Sequence, residues 1–263
     1  MKTRCDKLIT VINYTKINIW GKSMQLSVQH ETGIGLSLPI NYHHILQAII
    51  FSGISGNDSY GDFLHNQGYY SENRQFKLFT FSELQGKYEI RDGQIMFRNR
   101  ISFEVRSPDA GFIRRLERGL REKGIRYGDR TMGRVSTFLS DDAVEDEEIY
   151  VRMITPICVY STDPATKRTW FYAPDEEPFY EQVEDNFVRK YEAYCGVLPE
   201  EEIEVLPVEV TARDKFVTRY KNFYISGWKG IYQLRGKRKY LDFLYQTGLG
   251  SKNSQGFGMF ELL

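Results

Sequence analysis

The order in which hydrophobic periodicity changes along the chain restricts the fold most. From Met24 to Ser140 it runs strand, helix, strand, strand, helix, strand, and after an acidic stretch the same order recurs to Leu263. "MQLSVQH" alternates apolar and polar residues, as a strand covered on one face does. Pro39 opens "INYHHILQAIIFSGI", where Ile45, Leu46, Ile49 and Ile50 recur at helical spacing and Gly53 or Gly56 can end the helix. A short polar helix is expected in "NDSYGDFLHNQG", stopped by Gly68, and a strand in "FKLFTFS". "KYEIRDGQIMFRN" contains Asp92-Gly93, a hairpin signal. Ser107-Pro108 reads as a cap and first-turn proline for a helix with Phe112, Ile113, Leu116 and Leu120 on one face. "GIRYGDRTMGRVSTFLS" is expected to return as a strand.

In the second half, "EIYVRMITPICVYS" reads as a strand and "RTWFYAP" as its hairpin partner. "EEPFYEQVEDNFVRKYEAYCG" reads as a helix with acids early and Gly196 at its end. "IEVLPVEV" and "YISGWKGIYQLRG" read as strands, "KRKYLDFLYQTG" as a helix stopped by Gly248, and "GFGMFELL" as a closing strand. The expected fold class is therefore α+β, with two tandem ferredoxin-like (RRM-like) βαββαβ domains. Residues 1–23 are expected to be an extension outside the fold, 24–145 the first domain and 146–263 the second.

Formal net charge is zero, but charge is unevenly spread. From Arg213 to Tyr240 nine Lys/Arg face one acid, whereas six of the eight residues from Asp141 to Glu148 are acidic. That separation leaves room for a basic face. The acidic run reads as a solvated linker, and no Asp/His spacing supports a metal site. Cys5, Cys158 and Cys195 are odd in number and form no C-x-x-C, which suits a reducing cytoplasm. No apolar run is long enough to span a membrane as a helix, and the opening residues read poorly as a signal peptide.

"GLGSKNSQGFG", Gly248 to Gly258, concentrates glycine near the chain end. A P-loop needs lysine directly after its last glycine, and a dinucleotide fingerprint needs a third glycine where Asn253 stands. Neither fits. Two readings stay open: a tight turn between helix and strand, or a loop that bends over RNA and holds a phosphate on its N–H groups. Under the second reading Gly248, Gly250, Lys252, Asn253, Ser254, Gln255, Gly256 and Gly258 bind RNA. Lys229, Arg235, Lys237, Arg238 and Lys239 are further candidates, because the loop follows them in the chain. Arg114, Arg115, Arg118 and Arg121 share one helix as a second basic set.

This glycine pattern at a C-terminus resembles the CRISPR-associated repeat-RNA endoribonucleases (the Cas-six family) of the repeat-associated mysterious protein (RAMP) superfamily. "LPINYHHILQAIIFSGI", "FLHNQGY" and "FKLFTFS" are similar to that family's N-terminal half, so the resemblance covers Met24 to Leu263. It implies two ferredoxin-like domains and an enzyme that cuts the repeats of CRISPR precursor transcripts to release guide RNAs. In the family the ribose 2′-OH attacks the adjacent phosphate without a metal or other cofactor, leaving a 2′,3′-cyclic phosphate. The resemblance assigns His65 as catalytic and Lys77 as its cationic neighbour, with His44 or His43 as rival histidines. The family's tyrosine late in the first helix falls on Phe51, which carries no proton; Tyr42, Tyr69 or His44 could take its role. The implied partners are precursor and guide RNA, other CRISPR-associated subunits and a second copy of the chain. The alternatives are a catalytically weak guide-RNA-binding protein and a structural subunit of an interference complex.

Overall fold

A computed structural model describes residues 24–55, 68–72, 74–132, 134–220 and 223–263. In the first half β1 (Met24–Glu31) lies between β7 (Gln94–Ser107) and β10 (Val135–Ser140), antiparallel to both. On the same edge of β7, beyond β1, lies β2 (Leu36–Pro39), whereas β5 (Thr80–Phe81) and β6 (Gln85–Arg91) pair with the opposite edge. Counted as the four strands of a βαββαβ unit, the order is 4-1-3-2, the ferredoxin-like order. Helix α1 (His43–Ile54) and helix α2 (Ala110–Lys123) supply the two crossovers. They cross closely, since a Cβ at Gly119 would stand 1.8 Å from the Gly53 carbonyl oxygen.

The second half repeats the arrangement. β11 (Glu148–Met153) is flanked by β17 (Ile231–Arg235) and β18 (Phe260–Leu262), and β14 (Glu204–Glu209) pairs with β17. The crossovers are α3 (Glu177–Cys195) and α4 (Arg238–Thr247). Gly196 ends α3 in the left-handed conformation, as expected from its place after the apolar stripe. A continuous apolar core runs through both halves, from Leu26 and Val28 to Leu234 and Phe260. Arg106 of β7 ties them together: it is buried, donates to the Phe260 carbonyl at 2.6 Å, pairs with Glu104 and lies 3.9 Å from the Tyr245 ring centroid.

Several expected strands are broken in the folded chain. Only Arg74–Phe76 (β4) and Thr80–Phe81 are strand within and beside "FKLFTFS"; β4 pairs with β3 (Tyr69–Ser71) instead of the main sheet. Lys77 to Phe79 lie between these two strands, with Leu78 and Phe79 buried in the core. "GIRYGDRTMGRVSTFLS" makes a small hairpin, β8 (Ile125–Tyr127) with β9 (Arg130–Met132), before it returns as β10. "EIYVRMITPICVYS" leaves the sheet at Met153, and Tyr160–Thr162 (β12) pairs with Thr169–Phe171 (β13). "YISGWKGIYQLRG" is two strands: β16 (Phe223–Trp228) pairs with β15 (Lys215–Tyr220), and the chain bends at Gly230 to enter the sheet as β17. The cap of α2 is Asp109, which accepts from the Phe112 N–H, whereas Ser107 bonds the Leu78 carbonyl. The polar helix expected around His65, and residues 1–23, lie outside the described residues. No helix among the described residues is long and apolar enough to cross a membrane.

Candidate active site

The glycine-rich segment is a loop packed into the seam between the halves. After α4 the chain makes left-handed turns at Gly248, Gly250, Lys252, Gly256 and Gly258. What approaches these glycines is the chain itself. A Cβ at Gly258 would stand 2.0 Å from the Leu249 carbonyl oxygen, at Gly250 2.8 Å from that of Cys158, and at Gly256 2.9 Å from the Phe81 ring. Both halves hold the loop. Gln47 of α1 donates to the Ser254 carbonyl at 2.6 Å, and Thr80 donates to that of Phe257 at 3.2 Å. From α3, Asn186 accepts from Ser251 Oγ at 3.1 Å.

A cavity of about 360 Å³ opens beside the loop. It is lined by the segment 74–79 that carries Lys77, by Gly250 to Gln255, and by Asn186 and Lys190 of α3. The structure thus brings Lys77 together with Lys252, Asn253, Ser254 and Gln255, residues some 175 positions apart in the chain. Partial burial lowers the Lys77 ammonium below the ordinary lysine range. Lys252 is held over the Tyr160 ring, with Nζ 4.6 Å from its centroid. Gly68 abuts segment 74–79, for a Cβ there would meet Lys77 Cδ at 3.5 Å. His65 precedes Gly68 by three residues and lies outside the described residues.

The other histidines have different surroundings. His30 is buried and bonds the Tyr127 hydroxyl at 2.9 Å. His43 is enclosed by Phe81, Phe216 and Phe257, and burial lowers its imidazole below the ordinary range. His44 is exposed, bonds the Asn41 carbonyl at 2.8 Å, and lines a separate cavity between α1 and α2. Phe51 packs edge-on against Phe79. Tyr42 and Tyr69 are both buried: the Tyr42 hydroxyl accepts from the Leu84 N–H at 3.0 Å, and that of Tyr69 donates to Asp109 Oδ2 at 2.8 Å. Tyr69→Phe is therefore expected to destabilise the fold by about 1 kcal/mol, read by chemical denaturation, and to leave RNA cleavage unchanged.

The five basic candidates upstream of the loop are engaged with acids. Lys229 pairs with Glu83 at 3.0 Å. Arg235 pairs with Glu148 and Glu204, Lys237 with Glu200 and Glu201, Lys239 with Glu200, and Arg238 with Glu145. Sequence proximity is misleading here. α4 begins at Arg238 and ends at the loop, so its ten residues separate the cluster at its start from the loop by about 15 Å. The acidic run 141–148 supplies two of these partners, and among the described residues no three His, Cys, Asp or Glu side chains converge as a metal site would require.

Arg74, Tyr160, Asn186 and Lys190 also line the cavity, and sequence reasoning missed all four. Arg74 and Tyr160 give no signal, because each sits in an ordinary polar or amphipathic context; Asn186, a neutral polar residue on the buried face of α3, gives a weak one. Lys190 gives a clear one. It falls on the apolar stripe of α3 formed by Phe179, Val183 and Phe187, where a lysine has no solvent to reach.

Residues 139–262 match the family model "CRISPR associated protein Cas6, C-terminal". The chain is 27% identical over 249 residues to "CRISPR-associated endoribonuclease Cas6 1" of Methanocaldococcus jannaschii, covering 90% of this chain and 92% of that protein. A solved structure described as "CRISPR associated protein Cas6" superposes with a TM-score of 0.74 at 26% identity, covering 92% of this chain and 99% of the other. A second, "An RAMP protein binding different RNA substrates", shares the fold with a TM-score of 0.73 at 18% identity, covering 92% and 99%. The family model matched over residues 139–262, the relative aligned across nearly its whole length and the shared fold agree: this chain is similar to the Cas6 family of CRISPR-associated proteins.

Proposed function

We propose that the chain is an endoribonuclease that cleaves CRISPR repeat RNA in precursor transcripts and releases guide RNAs. The observation that carries this reading is the cavity in which Lys77 faces the glycine-rich loop across the seam. A phosphodiester held there meets the cations Lys77 and Lys252 and hydrogen-bonding side chains from Asn253, Ser254 and Gln255. Labour divides between residues 24–145, which carry Lys77 and His65, and residues 146–263, which carry the loop. The compartment consistent with this substrate is the cytoplasm.

In the proposed step the 2′-oxygen attacks the adjacent phosphorus and the bond from phosphorus to the 5′-oxygen breaks. The products are a 2′,3′-cyclic phosphate and a 5′-hydroxyl. His65 moves the proton, since imidazole titrates near neutral pH. Lys77 stabilises the charge that develops on the phosphorane oxygens. No metal enters this scheme. The test is cleavage of repeat RNA in excess EDTA, beside the same RNA with a 2′-deoxy nucleotide at the cut site. Full activity in EDTA and none on the 2′-deoxy RNA are expected. Loss in EDTA overturns the metal-free step, and cleavage of the 2′-deoxy RNA overturns 2′-OH attack.

Phe51 favours a second reading, a protein that holds guide RNA and cuts it poorly. The buried hydroxyls of Tyr42 and Tyr69 are committed to structural hydrogen bonds, so neither replaces a tyrosine at position 51. Tight binding of repeat RNA with no cleavage would favour this reading.

A further inference from the structure

A lysine in a helix's apolar stripe is costly to keep, because an apolar side chain would fill the space without losing hydration. Lys190 is 2% exposed, and burial lowers its ammonium to about 7. Its surroundings explain its retention. Nζ donates to the Gly248 carbonyl at 2.5 Å, to Asn253 Oδ1 at 3.2 Å and to the Gly250 carbonyl at 3.4 Å. An ammonium has three donors, and three acceptors surround this one. Asn253 extends the grip: its Nδ2 donates to the carbonyls of Leu249 at 2.9 Å and Phe257 at 3.1 Å.

Two side chains thus gather the carbonyl oxygens of Gly248, Leu249, Gly250 and Phe257. Carbonyl oxygens engaged by these donors repel a phosphate at the loop less than unengaged ones would. The geometry points to Lys190 as a positioning residue that holds loop 248–258 in the shape that grips RNA. It acts through Asn253 and the loop backbone. Its consequence for RNA rests on the cleavage reading above, whereas its effect on the loop does not.

The test uses the full chain with Lys190→Met, which keeps length and bulk but removes the donors, and separately with Asn253→Ala. Amide hydrogen exchange is expected to accelerate across residues 248–258 while β1, β7 and β17 keep their protection. The probe is a labelled CRISPR repeat RNA that the wild-type chain cuts. Its Kd is expected to rise about tenfold or more in Lys190→Met, with the single-turnover rate at saturating RNA unchanged. Wild-type loop protection in either folded variant overturns the inference. So does exchange that rises evenly along the chain, which a merely structural core residue would produce. A lowered saturated rate at unchanged affinity also overturns it. If Lys190→Met does not fold, the exchange profile of Asn253→Ala decides. If the wild-type chain cuts no RNA, the cleavage reading fails, and the exchange profiles alone decide the role of Lys190.

Discussion

His65→Ala is expected to lower the single-turnover cleavage rate of repeat RNA by about 10²–10⁴-fold, while His44→Ala leaves it unchanged. The asymmetry follows from what surrounds the other histidines. His30 is spent on Tyr127, and His43 is closed in by aromatic rings. His44 turns to Asn41 and to a cavity on another side of α1. His65 stands three residues before Gly68, whose backbone abuts Lys77 on the cavity wall. RNA affinity should hold in His65→Ala, because gripping the RNA is assigned to the loop in the other half. A wild-type rate in His65→Ala would remove His65 from the site, and a large loss in His44→Ala would move the site to the rival cavity.

Gly258→Ala is expected to be among the most damaging methyl additions in the chain, costing at least about 4 kcal/mol. Two penalties add. The backbone at Gly258 has φ +76°, a conformation that L side chains rarely adopt. The added Cβ would also lie 2.0 Å from the Leu249 carbonyl oxygen and 2.6 Å from Asn253 Nδ2, so the loop has to open. Gly33→Ala is the control. Its φ of +63° carries the first penalty, but nothing lies within 4 Å, so the cost should be about 1–2 kcal/mol. For a chain of this size the difference is a fall in Tm for Gly258→Ala about 5–10 °C greater than for Gly33→Ala, measured by thermal denaturation. Equal shifts for the two variants would show that the close approach at Gly258 has no energetic weight.

Much of the fold is legible in the residues. The apolar spacing of Ile45, Leu46, Ile49 and Ile50 marks α1, Asp92-Gly93 marks the β6–β7 turn, and Gly196 marks the end of α3. These signals are local, because capping, turn chemistry and amphipathic periodicity act within a few residues. Strand limits were less legible. "FKLFTFS" has the composition of one strand, yet β4 pairs with β3 and β5 with β7. Which neighbour a strand finds depends on chain far away, and composition does not encode it.

The same boundary runs through the site. The sequence by itself determined the βαββαβ order, the residue types that could serve the chemistry, and the four glycines that permit left-handed turns in the loop. Tertiary structure alone decided what those glycines admit, which is the chain's own carbonyls and rings. It also set Lys77 opposite Lys252, while α4 holds the Arg235–Lys239 cluster a helix length from the loop. The physical reason is that electrostatics and hydrogen bonding act through space. Lys190 makes its three bonds to residues about sixty positions away, and only the folded chain brings them within reach.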